Sequence, residues 1–289
     1  MSRVFFLVVF LALASSSLGD KVKKQPFIDL SYAFNNETVT WPGRTSTWNV
    51  EIEGETPDGV WIASRGFCTS EHTATHIDAP YHFHKAGRKL DQIPLEDLID
   101  TPGVMIDIYD KVHRMVNGNL TVVENYVLTR QDVQDWERKN GVIKPGSIVL
   151  LRTGWGERWP DVKAYRGIHE TPPGKEDKPV EKKADGEPAS VKVGDLGLNF
   201  PGYDATAAKY LTVERGVLGV GTDAISIDAG VNSRFFPAHQ VFASRSVWML
   251  EMVANLHLLP PRGFNLWVVP FKIDRGTGAP TRVLARINN

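Results

Sequence analysis

Fifteen residues, Ser70–His84, constrain this chain more than any other stretch. They read Ser-Glu-His-Thr-Ala-Thr-His-Ile-Asp-Ala-Pro-Tyr-His-Phe-His and hold four of the eight histidines together with Asp78. Imidazoles that share a zinc-type ion sit about 2.0–2.1 Å from it, so their side chains must converge within a few ångströms. His72 and His76, four apart, meet on one helical turn or in a tight loop, where Cβ atoms lie roughly 5–6 Å apart. An extended strand would spread them by roughly 13 Å. Asp78 lies two beyond His76, which suits one face of an extended segment, and Pro80 pushes Ala79 toward extended geometry. The spacing therefore predicts a tight turn running into an extended stretch, with His72, His76 and Asp78 converging. His82, beyond the proline, can face the same site without having to be a ligand. A lone His-x-x-x-His is more often coincidence or surface than a metal site. Asp78 and His82 at fixed offsets around Pro80 shift the balance toward metal.

At 289 residues, 42% of them apolar, the chain suits one large domain or two small ones with a real core. A formal net charge of −1 argues against a nucleic-acid or polybasic membrane partner. Residues 1–19 read as a secretory signal peptide: Arg3, an apolar run Val4–Ala14, then small residues Ser15–Gly19. That run is too short to span a bilayer comfortably, so the mature protein is expected to be secreted and free of the membrane. Two sequons fit this, Asn36-Glu37-Thr38 and Asn119-Leu120-Thr121, making Asn36 and Asn119 candidate glycosylation sites. Cys68 is the only cysteine, which excludes an internal disulfide, and its apolar setting predicts a small buried side chain.

Alternating Phe27–Ser31 predicts a first strand, Trp41-Pro42-Gly43 a turn, and Val60–Cys68 a strand leading to His72. Gly103–Ile108, Ser147–Leu151 and Val217–Gly221 are short apolar runs of the kind that form buried strands. Between them, Thr129–Lys139 has a cap, helical spacing of Val133 and Trp136, and a stop at Gly141; Asp204–Arg215 is a second helix ending before Gly216. Leu266–Ile273 predicts a closing strand. Residues 166–197 are rich in Lys, Glu, Asp, Pro and Gly and predict a polar surface insertion. No internal repeat and no glycine-rich phosphate loop is evident, and the alternation of strand and helix signals an α/β chain.

The run His72-x-Ala74-Thr75-His76-x-Asp78-x-Pro80-x-His82 resembles the HxGTHxDxPxH signature of the cyclase family of metal-dependent hydrolases, which includes bacterial-type kynurenine formamidase and isatin hydrolase. The family's Trp-Pro-Gly loop near the substrate is matched by Trp41-Pro42-Gly43. The Val149–Trp155, Gly221–Asp223 and closing-strand segments are also similar to it. The resemblance covers about 27–287, apart from the polar insertion. It implies a single domain with a swivelling β/β/α fold, a mixed sheet and flanking helices. One position departs: Ala74 stands where the family has glycine, and at positive φ alanine would strain the loop by about 1 kcal/mol.

The resemblance also implies the rest of the site. A distant His followed twelve residues later by a Glu completes the family's metal centre, and His239 and Glu251 have that spacing. Glu251 lies in the apolar run Trp248–Met252, where a buried carboxylate is costly unless a metal or a partner such as Arg245 neutralises it. As the resemblance implies, His72, His76 and Asp78 bind one ion and Asp78, His239 and Glu251 a second, with Asp78 bridging. Such a pair, roughly 3.5–4 Å apart, can activate a shared water and polarise a carbonyl. His82 is then free to move a proton to the leaving nitrogen, and Trp41 to contact substrate. Zn²⁺ or Mn²⁺, one or two ions per chain, suits three His and two carboxylates. The expected activity is cleavage of the C–N bond in a small aryl formamide or cyclic amide, N-formylkynurenine-like or isatin-like. The alternative is a secreted protein of the same fold that binds metal or a small ligand without turnover. A homodimer is a further expectation from the resemblance.

Overall fold

The short apolar runs become strands buried on both faces, and the two faces feed two different cores. The computed structural model describes residues 27–44, 46–169 and 197–288. The expected signal peptide (1–19) and residues 170–196 of the expected insertion lie outside them. In chain order the strands are β1 (Phe27–Asp29), β2 (Thr47–Glu55), β3 (Trp61–Cys68), β4 (His76–Asp78), β5 (Thr101–Asp107), β6 (His113–Val116), β7 (Asn119–Val122), β8 (Val127–Leu128), β9 (Ile148–Arg152), β10 (Gly202–Tyr203), β11 (Gly219–Thr222), β12 (Trp248–Glu251), β13 (Phe264–Pro270) and β14 (Gly278–Ile287). The α-helices are α1 (Tyr109–Val112), α2 (Arg130–Asn140), α3 (Val162–Arg166), α4 (Ala205–Lys209) and α5 (Pro237–Ser244).

The main sheet runs β1-β14-β13-β5-β9-β11-β12-β4, and β4 also pairs with β14, so seven strands close into a mixed barrel with β1 attached outside β14. β5, β9, β11 and β12 are parallel neighbours, while β4, β13 and β14 join antiparallel. Successive side chains of a strand point to opposite faces. Ile148, Leu150, Met105, Trp248 and Leu250 accordingly fill the barrel. Val149, Leu151, Val104, Ile106 and Met249 face outward onto the layer that holds α2, α4 and α5. Residues buried on both sides give continuous apolar runs rather than alternation. The barrel interior is tight enough to require glycine: a Cβ on Gly219 would lie 2.5 Å from the Trp248 ring, and one on Gly103 2.1 Å from Phe264.

Helix α2 is capped as its sequence predicts. Thr129 accepts from the Asp132 amide at 3.2 Å, Asp132 accepts from the Thr129 amide at 2.8 Å, and Gly141 ends the helix at φ 88°. Helix α4 runs directly into a π-helical turn, Tyr210–Glu214, so the predicted second helix is present over its full length. The outer layer is pinned by Glu137, which accepts from the Arg215 guanidinium, the Tyr210 hydroxyl and the Ile143 amide.

Two expectations are corrected. Cys68 is exposed rather than buried, because β3 pairs only with β2, in a two-stranded hairpin apart from the main sheet. The polar insertion cannot begin at Arg166: Tyr165 and Arg166 are buried, and the Arg166 guanidinium donates to the Thr40 carbonyl at 2.7 Å. That carbonyl lies 126 residues away in sequence, so only the fold brings it near. Among the described residues no helix is long and apolar enough to cross a membrane.

Candidate metal centre

Strand β4 lies between β12 and β14, and that position assembles the centre. His76 on β4 sits directly opposite Glu251 on β12, and Asp78 opposite Gly278 on β14. His76 and Asp78 share one face of β4, as their spacing predicts. His72 precedes the strand in a tight loop, and its ring centroid is 5.4 Å from that of His76. The loop turns at Ala74, whose φ is 49°, so the position where the family has glycine does need the left-handed region. That twist aims the Ala74 carbonyl at His76, whose Nδ1–H donates to it at 2.7 Å. The second half arrives on α5, which starts with Pro237 at its first turn and buries His239.

Asp78 Oδ1 lies 2.6 Å from His72 Nδ1 and 3.3 Å from His76 Nε2, and its Oδ2 lies 3.6 Å from His239 Nε2. Glu251 Oε1 is 3.0 Å from His239 Nε2 and Oε2 3.3 Å from His76 Nε2. All five side chains named from the sequence therefore meet in one cluster, with Asp78 touching all three imidazoles. Arg245 is not the partner of Glu251; besides the imidazoles, the Ile227 amide donates to it at 2.9 Å.

The cluster fits a divalent cation. His76 Nε2 is buried and has no hydrogen-bond partner, although both carboxylates stand 3.3 Å away. A buried polar atom without a partner is costly, and an ion between these groups would satisfy it. His239 donates Nδ1–H to Asp228 at 2.6 Å, which leaves its Nε2 turned into the cluster. Electrostatics agree. Burial alone would lower the pKa of His76, but Asp78 and Glu251 outweigh it and raise it to about 10. His239 is likewise raised well above its ordinary value against burial, by Asp228, Asp78 and Glu251. Burial and Asp78 push Glu251 up, yet His239 and His76 bring it down to about 2. Two carboxylates in this pocket thus draw positive charge, as protons or as metal.

His82 lies at the edge of the cluster. Its ring stacks on that of His72 with centroids 3.9 Å apart, and it is close enough to His72 and Asp78 to form a third corner of a ligand group. The residue faces solvent, but its ring packs into the cleft wall; that desolvation outweighs the pull of Asp78 and lowers its pKa to about 4. The cleft in front of the cluster holds about 210 Å³ and has apolar walls that include Trp41, Phe83, Ile225, Phe236 and Met252. Trp41 thus stands where the turn places it, its ring 6.2 Å from Phe236. Arg44 also borders this cleft.

Asp228 is a member that sequence reasoning does not reach. It is fully buried, receives His239 Nδ1–H, and also accepts the Ala238 and His239 amides at 2.8 and 3.0 Å, which caps α5. No local spacing marks it, because it precedes Pro237 across an irregular segment. Asn36 and Asn119 are both exposed; Asn36 accepts the Trp48 amide at 2.9 Å, and Asn119 opens β7 in a solvent-facing hairpin.

The Cyclase family model matches residues 28–229, well over half of the chain. An isatin hydrolase of Roseibium aggregatum is 28% identical over 235 residues, covering 80% of this chain and 77% of the relative. A kynurenine formamidase of Salinibacter ruber is 26% identical over 266 residues, covering 90% and 96%. Among solved structures, isatin hydrolase A from Ralstonia solanacearum superposes with a TM-score of 0.73 at 29% identity, over 91% of this chain and 92% of that one. Motif, barrel and matched family model agree, and the chain belongs to the cyclase family of metal-dependent hydrolases.

Proposed function

We propose that this protein hydrolyses the C–N bond of a small aryl formamide or cyclic amide, N-formylkynurenine-like or isatin-like. The observation that carries the reading is the convergence of His72, His76, Asp78, His239 and Glu251 at the floor of a small apolar cleft. Relatives named isatin hydrolase and kynurenine formamidase support it. Three imidazoles and two carboxylates suit zinc and manganese; His72, His76 and Asp78 would hold one ion, and Asp78, His239 and Glu251 would hold a second. Bound there, a divalent ion lowers the pKa of water toward roughly 7 and polarises a carbonyl. The apolar walls favour a planar aryl group and exclude bulk water, which strengthens every charge interaction inside.

His82 is the proton carrier. It stands beside Asp78 at the edge of the cluster and opens to the cleft, so its imidazole is placed to take a proton from the attacking water and pass it to the leaving nitrogen. Stacking on His72 holds its ring beside the cluster while leaving it open to the cleft. We also read the protein as secreted, on the strength of residues 1–19, and as glycosylated at Asn36 and Asn119. The homodimer draws support from the β2–β3 hairpin, which presents Val50, Ile52, Trp61 and Phe67 to solvent.

The test is hydrolysis of an aryl formamide and of isatin by purified protein with Zn²⁺ or Mn²⁺, beside His82→Ala. Wild type should turn over at least one; the variant should keep its metal and lose roughly 10²–10⁴ in rate, mainly in kcat. Metal binding without turnover on either substrate would point instead to a binding protein of the same fold. Loss of metal from the variant would make His82 a ligand.

A further inference from the structure

Each buried imidazole of the centre has its outer nitrogen held by an internal acceptor: His76 by the Ala74 carbonyl and His239 by Asp228. His72 is different. Its side chain is 18% exposed against 2% for the other two, and its outer contact comes from a side chain 205 residues away. His72 Nε2 lies 2.8 Å from Thr277 Oγ1, while Nδ1 points at Asp78. Glu71 Oε2, next to His72 in sequence, receives both the Thr277 hydroxyl and, at 3.1 Å, the Thr277 amide.

Donor bookkeeping decides the direction of this chain. A carboxylate only accepts, so the single Thr277 hydroxyl hydrogen goes to Glu71. Thr277 Oγ1 then faces His72 with lone pairs alone, and His72 must bring the hydrogen on Nε2. Its Nδ1 faces Asp78 Oδ1, a second acceptor, so a hydrogen or a cation has to stand on that side of the ring, and a divalent ion taking that place leaves the Nε2 hydrogen on Thr277. Which ring nitrogen of a histidine binds metal is set by the bond the other one makes. The flanking chain is cut to this arrangement. A Cβ on Gly278 would lie 2.5 Å from His72 Cε1, and a Cβ on Gly276 would lie 3.3 Å from Glu71 Oε1. Gly278 pairs in register with Asp78, which ties Thr277 to the floor of the site.

We propose that Glu71 and Thr277 are positioning residues that present His72 to the first metal ion through Nδ1, and so set the affinity of that ion. This rests on the metal-centre reading above. His76 and His239 are held through Nδ1 and face the cluster with Nε2, so His72 is the one imidazole with the opposite tautomer. Its anchor is a side chain, like the Asp228 anchor of His239, so it can be replaced without touching backbone.

The experiment is divalent-ion binding by the full chain, measured with Zn²⁺ and Mn²⁺ against a competing chelator, for wild type, Thr277→Val, Thr277→Ser and Glu71→Gln. Thr277→Val should weaken one ion by about 10–100-fold, the usual effect of losing a group that orients a ligand. Thr277→Ser should restore affinity to within about threefold, because the hydroxyl is what the chain uses. Adding Thr277→Val to His72→Ala should cost nothing further, since the effect runs through His72. Nitrogen-15 histidine spectra of the Zn²⁺-loaded protein should show His72 protonated on Nε2. Thermal unfolding tells a folding defect from a binding defect; should Thr277→Val fold poorly, Glu71→Gln and the spectra carry the test. Wild-type affinity in Thr277→Val, no rescue by serine, or His72 protonated on Nδ1 would overturn the relay while leaving the centre intact. Failure of the wild-type chain to bind any divalent ion would overturn both.

Discussion

Replacing Ala74 by glycine should stabilise the protein. A residue with a Cβ in the left-handed region costs about 1–2 kcal/mol, and Ala74 sits at φ 49°. Glycine removes that cost but gives back about 0.4–1 kcal/mol through the greater freedom of the unfolded chain. The Ala74 methyl is fully buried, so removing it also forgoes up to about 0.8 kcal/mol of burial. With the strain at its upper end the net gain is about 0.8 kcal/mol, which for a domain of this size raises Tm by roughly 2–3 °C. Ala74→Val should move the other way by more than 1 kcal/mol, because a β-branched residue at positive φ is strongly disfavoured. Calorimetry or circular dichroism on metal-stripped protein reads both. Because the Ala74 carbonyl orients His76, the glycine variant should keep its metal affinity within about threefold. A lower Tm for glycine, or an unchanged one for valine, would show that neighbours absorb the backbone strain and that the argument is wrong.

Asp78→Ala should empty the centre of metal altogether, because Asp78 touches all three imidazoles, whereas His239→Ala should spare the ion held by His72 and His76; full occupancy of the Asp78 variant by elemental analysis would refute the bridge. Asp228→Asn should weaken metal binding about 10–100-fold and cost roughly 1–2 kcal/mol from the α5 cap, so a variant with normal affinity and Tm would remove Asp228 from the site's support. In metal-free protein His76 is raised from 6.5 to about 10, so the stability its proton contributes is complete below about pH 6.5 and lost as pH climbs toward 10. Metal must displace that proton, so affinity and the Tm gap between loaded and stripped protein should both widen from about pH 6 to pH 9; a constant gap would contradict the charge pattern.

Much of the centre is legible in the sequence because its first half is local. Two His four apart, an Asp two further on and a proline beyond leave a turn entering a strand as the one arrangement that brings them together, and β4 with its preceding loop has that form. Strands β5, β9 and β11 and helix α2 are legible for a similar reason: short apolar runs and a capped amphipathic stretch carry their signals within a few residues. The family resemblance supplied His239 and Glu251; spacing alone would not have joined them to His76. Only the closed barrel does so, by laying β12 beside β4 and setting Glu251 opposite His76. Cys68 was misplaced because an apolar alternating run looks the same whether its strand enters a core or projects as a hairpin, and pairing partners decide which. The start of the polar insertion was misplaced because Arg166 is recognisable as an interior residue only when Thr40 is beside it. Asp228 and Thr277 lie beyond any sequence pattern, since each acts on an imidazole reached through space. Composition and periodicity act over a few residues; the orientation of a ligand is set by whatever the sheet closes against it.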